Sequence, residues 1–184
     1  MAVNELLISG LKDNLTCEEW DILSEETSKE NKFHVSHLKK DWCWILDPLD
    51  GTKDFLQGSE NYAVHIALLH KNIPKIGIVL IPEKNELWIG VIGNGAWCEN
   101  RYGIKKPISF SERKEISKLI LVSSKNHHES KLKNLLAKLD FASTKKIGSV
   151  GCKVASILRG ESDVYISLSG KTSPKDWTWL PRMP

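Results

Sequence analysis

The run Trp44-Ile45-Leu46-Asp47-Pro48-Leu49-Asp50-Gly51-Thr52-Lys53-Asp54-Phe55 constrains this chain more than any other stretch. An apolar segment delivers two carboxylates, a glycine and a hydroxyl into one tight turn. Proline locks its own φ and pushes the preceding residue toward extended backbone, so the strand carrying Ile45 and Leu46 is expected to end at Asp47. Asp47 and Asp50 can then converge on a hard cation, which takes carboxylate, carbonyl and water oxygens and leaves room for a substrate phosphate. Magnesium fits that donor set best. Gly51 lets the backbone approach an anion closely, and a helix starting near Thr52 would aim its free N–H groups at the same phosphate.

Three other readings of the run are weaker. An ordinary surface turn also favours Asp, Pro and Gly. Phosphatases with an aspartyl nucleophile need a second Asp two residues on, whereas here it comes three residues on and Pro48 intervenes. A calcium-binding loop would need further oxygen ligands and a closing Glu where Lys53 and Phe55 stand.

The segment Asp47-Pro48-Leu49-Asp50-Gly51-Thr52 resembles the signature of the inositol monophosphatase superfamily of magnesium-dependent phosphomonoesterases, and Ile22-Leu23-Ser24-Glu25-Glu26 resembles the upstream Glu-Glu motif of that family. The continuation Lys53-Asp54-Phe55 resembles the branch acting on 3'(2'),5'-bisphosphorylated adenosine, where inositol phosphatases more often have Thr-Asn-Phe. Ser124-Lys125-Asn126-His127, Gly148-Ser149-Val150-Gly151-Cys152-Lys153 and Ser167-Leu168-Ser169-Gly170-Lys171 extend the resemblance to nearly the whole chain.

The resemblance implies hydrolysis by a metal-activated water without a phosphoenzyme. Glu25, Asp47 and the Leu49 carbonyl would hold the first magnesium, Asp47 and Asp50 would bridge toward a second, and Thr52 paired with Glu25 would orient the water. Gly51 and Thr52 amides would bind the phosphate. Ser124, Lys125, His127, Ser149 and Lys153 would contact substrate or a second phosphate. Ser124 to His127 serve equally well as a helix cap, and the Gly148 to Gly151 turn as a helix start. His34, His37, His65, His70 and His128 show no ligand spacing and are expected to be structural or exposed.

With 184 residues, 41% of them hydrophobic, the chain is long enough for one core, and its formal charge of +3 is spread over short pairs such as Lys39-Lys40, Lys105-Lys106 and Lys145-Lys146. No basic block points to a nucleic-acid polymer. Cys17, Cys43, Cys98 and Cys152 are far apart, which argues for reduced, buried thiols in the cytoplasm rather than zinc or a disulfide framework. No apolar run reaches membrane-spanning length, so no membrane partner is expected.

Val3, Leu6, Leu7 and Leu11 fall at helical spacing. Segments 62–69, 75–81 and 86–91 read as an antiparallel meander, with 96–98 and 106–109 as an edge hairpin. Segment 119–122 reads as a strand, 130–139 and 152–158 as helices, and 164–168 as a half-buried strand. The expected fold is α/β, an incomplete α-β-α sandwich like those of inositol monophosphatase and fructose-1,6-bisphosphatase, with a mixed, largely antiparallel sheet. It forms a single partial domain over 1–184, with a metal-binding half over 1–110 and a partial second half over 111–184.

Resembled proteins carry a late Trp-Asp-x-Ala-Ala segment whose Asp binds the second of two or three magnesium ions. Here Trp177 is followed by Thr178, and a neutral hydroxyl does not replace a carboxylate on a divalent ion, so a weak second site is expected; Asp176 is displaced by two positions. One G inserted after the Trp177 codon restores Asp and, with permitted codons, a following Ala-Ala-Pro, so a single-base frameshift is expected. The family's preceding helix has no counterpart before Ala2, so Met1 is expected to be an internal start. Apolar sheet surface would then be exposed to association, a homodimer included.

The expected activity is removal of the 3'-phosphate from 3'-phosphoadenosine 5'-phosphate, a small phosphorylated substrate. The alternatives are inositol monophosphatase or fructose-1,6-bisphosphatase activity, and an inactive fragment.

Overall fold

The apolar runs between Trp42 and Glu99 pair in the order in which they leave the chain. A computed structural model describes residues 2–15, 19–27, 39–125, 136 and 138–166. Its elements are α1 (Ala2–Asn14), β1 (Trp20–Ser24), β2 (Trp42–Asp50), α2 (Thr52–Leu56), β3 (Ala63–His70), β4 (Ile73–Ile81), β5 (Glu86–Val91), β6 (Gly95–Glu99), β7 (Lys105–Lys106), β8 (Ile120–Ser124), β9 (Ser143–Ile147), α3 (Val150–Leu158) and β10 (Val164–Tyr165). Among the described residues these strands form a seven-stranded sheet in the order β1 to β7 and a three-stranded sheet in the order β10-β8-β9. β1 runs parallel to β2 and every later neighbour in the first sheet is antiparallel. The fold is thus the α and β architecture with a mixed, largely antiparallel sheet that the pattern led us to expect. The second, parallel sheet was not distinguished from the first by the pattern.

Local chemistry explains the meander. Lys71 and Asn72 both take positive φ, 50° and 63°, in the two-residue loop between His70 and Ile73. That is the turn whose twist matches a right-handed hairpin. Between β4 and β5, Pro82 opens a short 3₁₀ turn that Asn85 closes at φ 53°. Pro107, with no N–H to donate, leaves β7 only Lys105 and Lys106 long. The edge hairpin expected over 106–109 is shortened accordingly, and Ile108 instead packs against the core.

Strand alternation sorts the side chains onto two faces. On one face Ala63, Val79, Ile81, Trp88 and Cys98 meet Cys152 and Ala155 of α3. Leu23, Cys43, Ile45, Ala67 and Leu69 continue it toward β1. Each fully buried Ile or Leu contributes about 1.5–3 kcal/mol relative to exposure. On the other face α1 lies along β2, and Ser24 Oγ donates to Asn4 Oδ1 at 2.6 Å. No residue of α1 is buried, and Leu6 remains 72% exposed.

α3 connects the two sheets. Asp163, just before β10, accepts the Ile120 N–H at 2.6 Å, Arg113 Nε at 2.8 Å and the Ser111 hydroxyl, which ties the 107–119 connection to the second sheet. β9 was not anticipated from sequence: Ser143, Thr144, Lys145 and Lys146 are exposed, with Ile147 half-buried, so it has no apolar alternation. The expected helix over 130–139 lies almost entirely outside the described residues, as does the end of the strand expected over 164–168. No described helix is long and apolar enough to cross a membrane.

Candidate metal and phosphate site

β2 and β3 pair regularly from Trp42 opposite His70 to Asp47 opposite His65, and the next matched pair is Asp50 opposite Ala63. Three steps along β2 therefore answer two along β3, which is a one-residue bulge. Pro48 lacks the N–H that the ladder would use, and a bulge is where a strand tolerates proline. β2 accordingly runs through to Asp50, rather than ending at Asp47 as the proline rule alone implied. The bulge has a functional consequence. Residues three apart in a regular strand point to opposite faces, but cross-strand partners share a face, and His65 and Ala63 are two apart. The extra residue thus turns Asp47 and Asp50 to the same face of the sheet.

Parallel pairing brings a third acid to this place. Ser24 of β1 lies opposite Leu46 of β2, so Glu25 follows β1 as Asp47 follows Leu46. Asp47 is 5% exposed, and its Oδ1 accepts the Leu49 N–H at 3.1 Å. Burial, then the charge of Glu25, with Asp50 adding to them, push its carboxyl up to about 7 against the pull of His65 and the Leu49 amide.

Asp50 has the opposite environment. Its Oδ2 accepts the Ser149 hydroxyl at 2.5 Å and the Gly151 N–H at 3.1 Å, and His65 Nε2 stands 3.2 Å away. Burial alone would raise the Asp50 pKa, but His65, Ser149 and Gly151 outweigh it and bring the carboxyl down to about 2. His65, expected to be merely structural or exposed, is therefore a contact of the candidate site. The sign of this in the sequence was an imidazole in the interior of a strand that is apolar up to its last residue, His70.

Gly51 and Gly151 leave no room for a side chain. Gly51 has φ 91°, and a Cβ on it would lie 2.7 Å from the Asn61 carbonyl oxygen and 3.2 Å from Ser149 Cβ. A Cβ on Gly151 would lie 2.5 Å from His65 Nε2. α2 begins after Gly51, as anticipated, and the Thr52 hydroxyl donates to the Leu49 carbonyl at 3.1 Å. At the start of α3, Ser149 is the N-cap, its oxygen accepting the Cys152 N–H at 3.2 Å while its proton goes to Asp50.

The structure thus brings Glu25, Asp47, Leu49, Asp50, Gly51, Thr52 and Ser149 to one end of the sheet. Ser124 ends β8 opposite Ile147, and Lys125 follows it with its ammonium 3.2 Å from Asp54 Oδ1. Lys153 is 1% exposed, donates from Nζ to the Gly148 carbonyl at 2.8 Å and lies over the Tyr165 ring. Burial lowers its pKa. Asp54, read from sequence only as a marker of substrate branch, is wholly buried. His127, Asp176 and Thr178 lie outside the described residues, as do Cys17, His34, His37 and His128.

The donor set suits a hard cation: carboxylates and a backbone carbonyl, with Asp47 crowded by like charge that a cation would relieve. Among the described residues no three His, Cys, Asp or Glu side chains form a ready cage. Magnesium does not require one, since it is commonly held by one or two carboxylates with waters and substrate oxygens completing the shell.

Comparison with known proteins agrees with this architecture. Residues 1–178 match the model of the inositol monophosphatase family. The chain is 32% identical over 166 residues to the 3'(2'),5'-bisphosphate nucleotidase CysQ of Buchnera aphidicola, covering 89% of this chain and 58% of the relative. It is 32% identical over 122 residues to the CysQ nucleotidase of Escherichia coli K12, covering 66% of this chain and 47% of the relative. The chain therefore spans less than two thirds of the length of these relatives. The inositol monophosphatase of Anabaena superposes with a TM-score of 0.72 at 24% identity, covering 89% of this chain and 63% of that one. The chain belongs to the inositol monophosphatase family.

Proposed function

We propose that this member of the inositol monophosphatase family contributes the cation and phosphate end of a magnesium-dependent 3'(2'),5'-bisphosphate nucleotidase, which releases the 3'-phosphate of 3'-phosphoadenosine 5'-phosphate. The observation that carries the reading is the β2 bulge, which turns Asp47 and Asp50 to one face beside Glu25. The nucleotide is favoured over inositol phosphates by the resemblance of Lys53-Asp54-Phe55 and by the two nucleotidase relatives.

Glu25, Asp47, Asp50 and the Leu49 carbonyl would hold magnesium. When bound, the ion supplies charge that neutralises phosphoryl oxygens and lowers the pKa of a water. The chain's own groups prepare that place. Ser149 and Gly151 hold Asp50 ionised and fix its direction, because both donate to the same oxygen. The Thr52 hydroxyl, donating to the Leu49 carbonyl, fixes the turn that follows the bulge. In this proposal the Gly51 and Thr52 amides receive the phosphate, and Ser124, Lys125 and His127 contact the rest of the substrate. Buried Lys153 would act through the Gly148 carbonyl rather than by touching substrate. The buried, unpaired thiols of Cys43, Cys98 and Cys152 support a reducing, cytoplasmic setting.

Phosphate release from 3'-phosphoadenosine 5'-phosphate and from inositol 1-phosphate, with and without magnesium, tests the proposal. Magnesium-dependent release from the nucleotide is expected, and Asp47→Asn should abolish it. Release from inositol 1-phosphate alone, or release independent of magnesium, contradicts it.

A further inference from the structure

Asp50, the last residue of β2, and Asp54, in α2, are four residues apart in sequence and reach toward the same segment, the entry to α3. Asp50 accepts Ser149 and Gly151. Asp54, wholly buried, occupies the space that a side chain on Gly148 would need: a Cβ placed there would overlap the Asp54 carboxylate. The absence of a side chain at 148 is thus what lets a buried carboxylate rest against that backbone.

The same turn is held from several other directions. Lys125 pairs its ammonium with Asp54 Oδ1 at 3.2 Å while its own N–H donates to the Ile147 carbonyl at 3.2 Å. Ser59 Oγ donates to the same Asp54 oxygen at 3.3 Å. Lys153 Nζ donates to the Gly148 carbonyl, and the Ser149 N–H to the Asn61 carbonyl at 3.3 Å. A buried carboxylate is costly unless paired and hydrogen-bonded, so Asp54 is an improbable choice for plain packing. Its effect is to fix the height of the Gly148 to Ser149 turn above α2. That height decides whether the Ser149 hydroxyl and Gly151 amide reach Asp50.

We infer that Asp54 is a positioning residue: seated on the Gly148 backbone and paired with Lys125, it holds the first turn of α3 where Ser149 and Gly151 orient Asp50. The inference rests on the proposed function for its link to magnesium, but its geometry is separate. Asp54 touches neither substrate nor ion in this account, and acts through Ser149 and Gly151.

Two readings on the full chain test it, with unfolding midpoints as the control for fold. The first is amide exchange at Gly151, measured by NMR without metal. The second is magnesium affinity, measured by calorimetry. Asp54→Ala is expected to accelerate Gly151 exchange by about tenfold or more while β4 amides stay protected, since local opening is distinct from global unfolding. Gly148→Ala, whose Cβ would evict the carboxylate, should reproduce that change, and the two together should be no worse than either alone. Magnesium affinity should fall about tenfold in each. Asp54→Asn keeps the volume and loses the ion pair, and is read by the same criterion where Asp54→Ala does not fold. Gly151 exchange within about twofold of the parent in folded Asp54 and Gly148 variants would overturn the inference. If the parent takes up no magnesium while Gly151 still responds, the metal reading falls and the positioning role of Asp54 stands.

Discussion

The Ser149 hydroxyl donates to Asp50 Oδ2 at 2.5 Å, joining the first turn of α3 to the end of β2. One side chain thereby caps a helix and orients a carboxylate of the candidate site, so a shift of the α3 N-terminus is felt at Asp50.

Ser149→Ala removes both functions at once. The cap and the charge-assisted bond together predict a loss of about 2–3 kcal/mol in urea unfolding. Asp50, relieved of one of the donors that hold its pKa at about 2, should titrate nearer the ordinary carboxylate range. Unchanged stability together with an unchanged Asp50 titration by NMR would show that this contact does not hold the site.

In the metal-free protein the two aspartates pull pH dependence in opposite directions. Asp47 has a folded pKa of about 7 against 3.8 for the free side chain, so its contribution is full below about pH 4 and is lost as pH rises through 7. Asp50 has a folded pKa of about 2, so its contribution is present above about pH 4 and is lost as pH falls through 2. Thermal midpoints in chelator should therefore decline between pH 4.5 and 7.5. Asp47→Asn should flatten that decline, and an identical slope in the variant would contradict the raised pKa that burial and then the charge of Glu25 give Asp47.

Gly51→Ala places a Cβ in a left-handed conformation and 2.7 Å from the Asn61 carbonyl. The backbone term alone costs about 1–2 kcal/mol, and the overlap adds to it. A loss above about 2 kcal/mol is expected in denaturant unfolding. A neutral effect would mean that the turn after the bulge is built differently.

Much of this was legible in the chain. The apolar runs of β3, β4 and β5 and the short polar turns between them are local signals, and they dictate the meander. Asp47, Asp50 and Gly51 declared a turn with oxygen donors. The bulge that aims them was not legible, because it depends on the register between β2 and β3 and reverses what Pro48 suggests locally. His65 and Asp54 were undervalued for the same reason: each acts on a group far away in sequence, His65 on Asp50 and Asp54 on Gly148. β9 escaped because an exposed edge strand with Lys145 and Lys146 satisfies only its backbone, and such lysines protect an edge without leaving any apolar period.

Asp47 and Asp50 are proposed to form a cation site because the β2 bulge turns them to one face. Calorimetric titration of magnesium into the chain at pH 8, in parallel with Asp47→Asn and with 3'-phosphoadenosine 5'-phosphate absent or present, tests it most directly. Saturable binding that strengthens with the nucleotide and disappears in Asp47→Asn is expected. Binding of equal strength in the parent and in Asp47→Asn, or no binding to the folded parent under either condition, would contradict it.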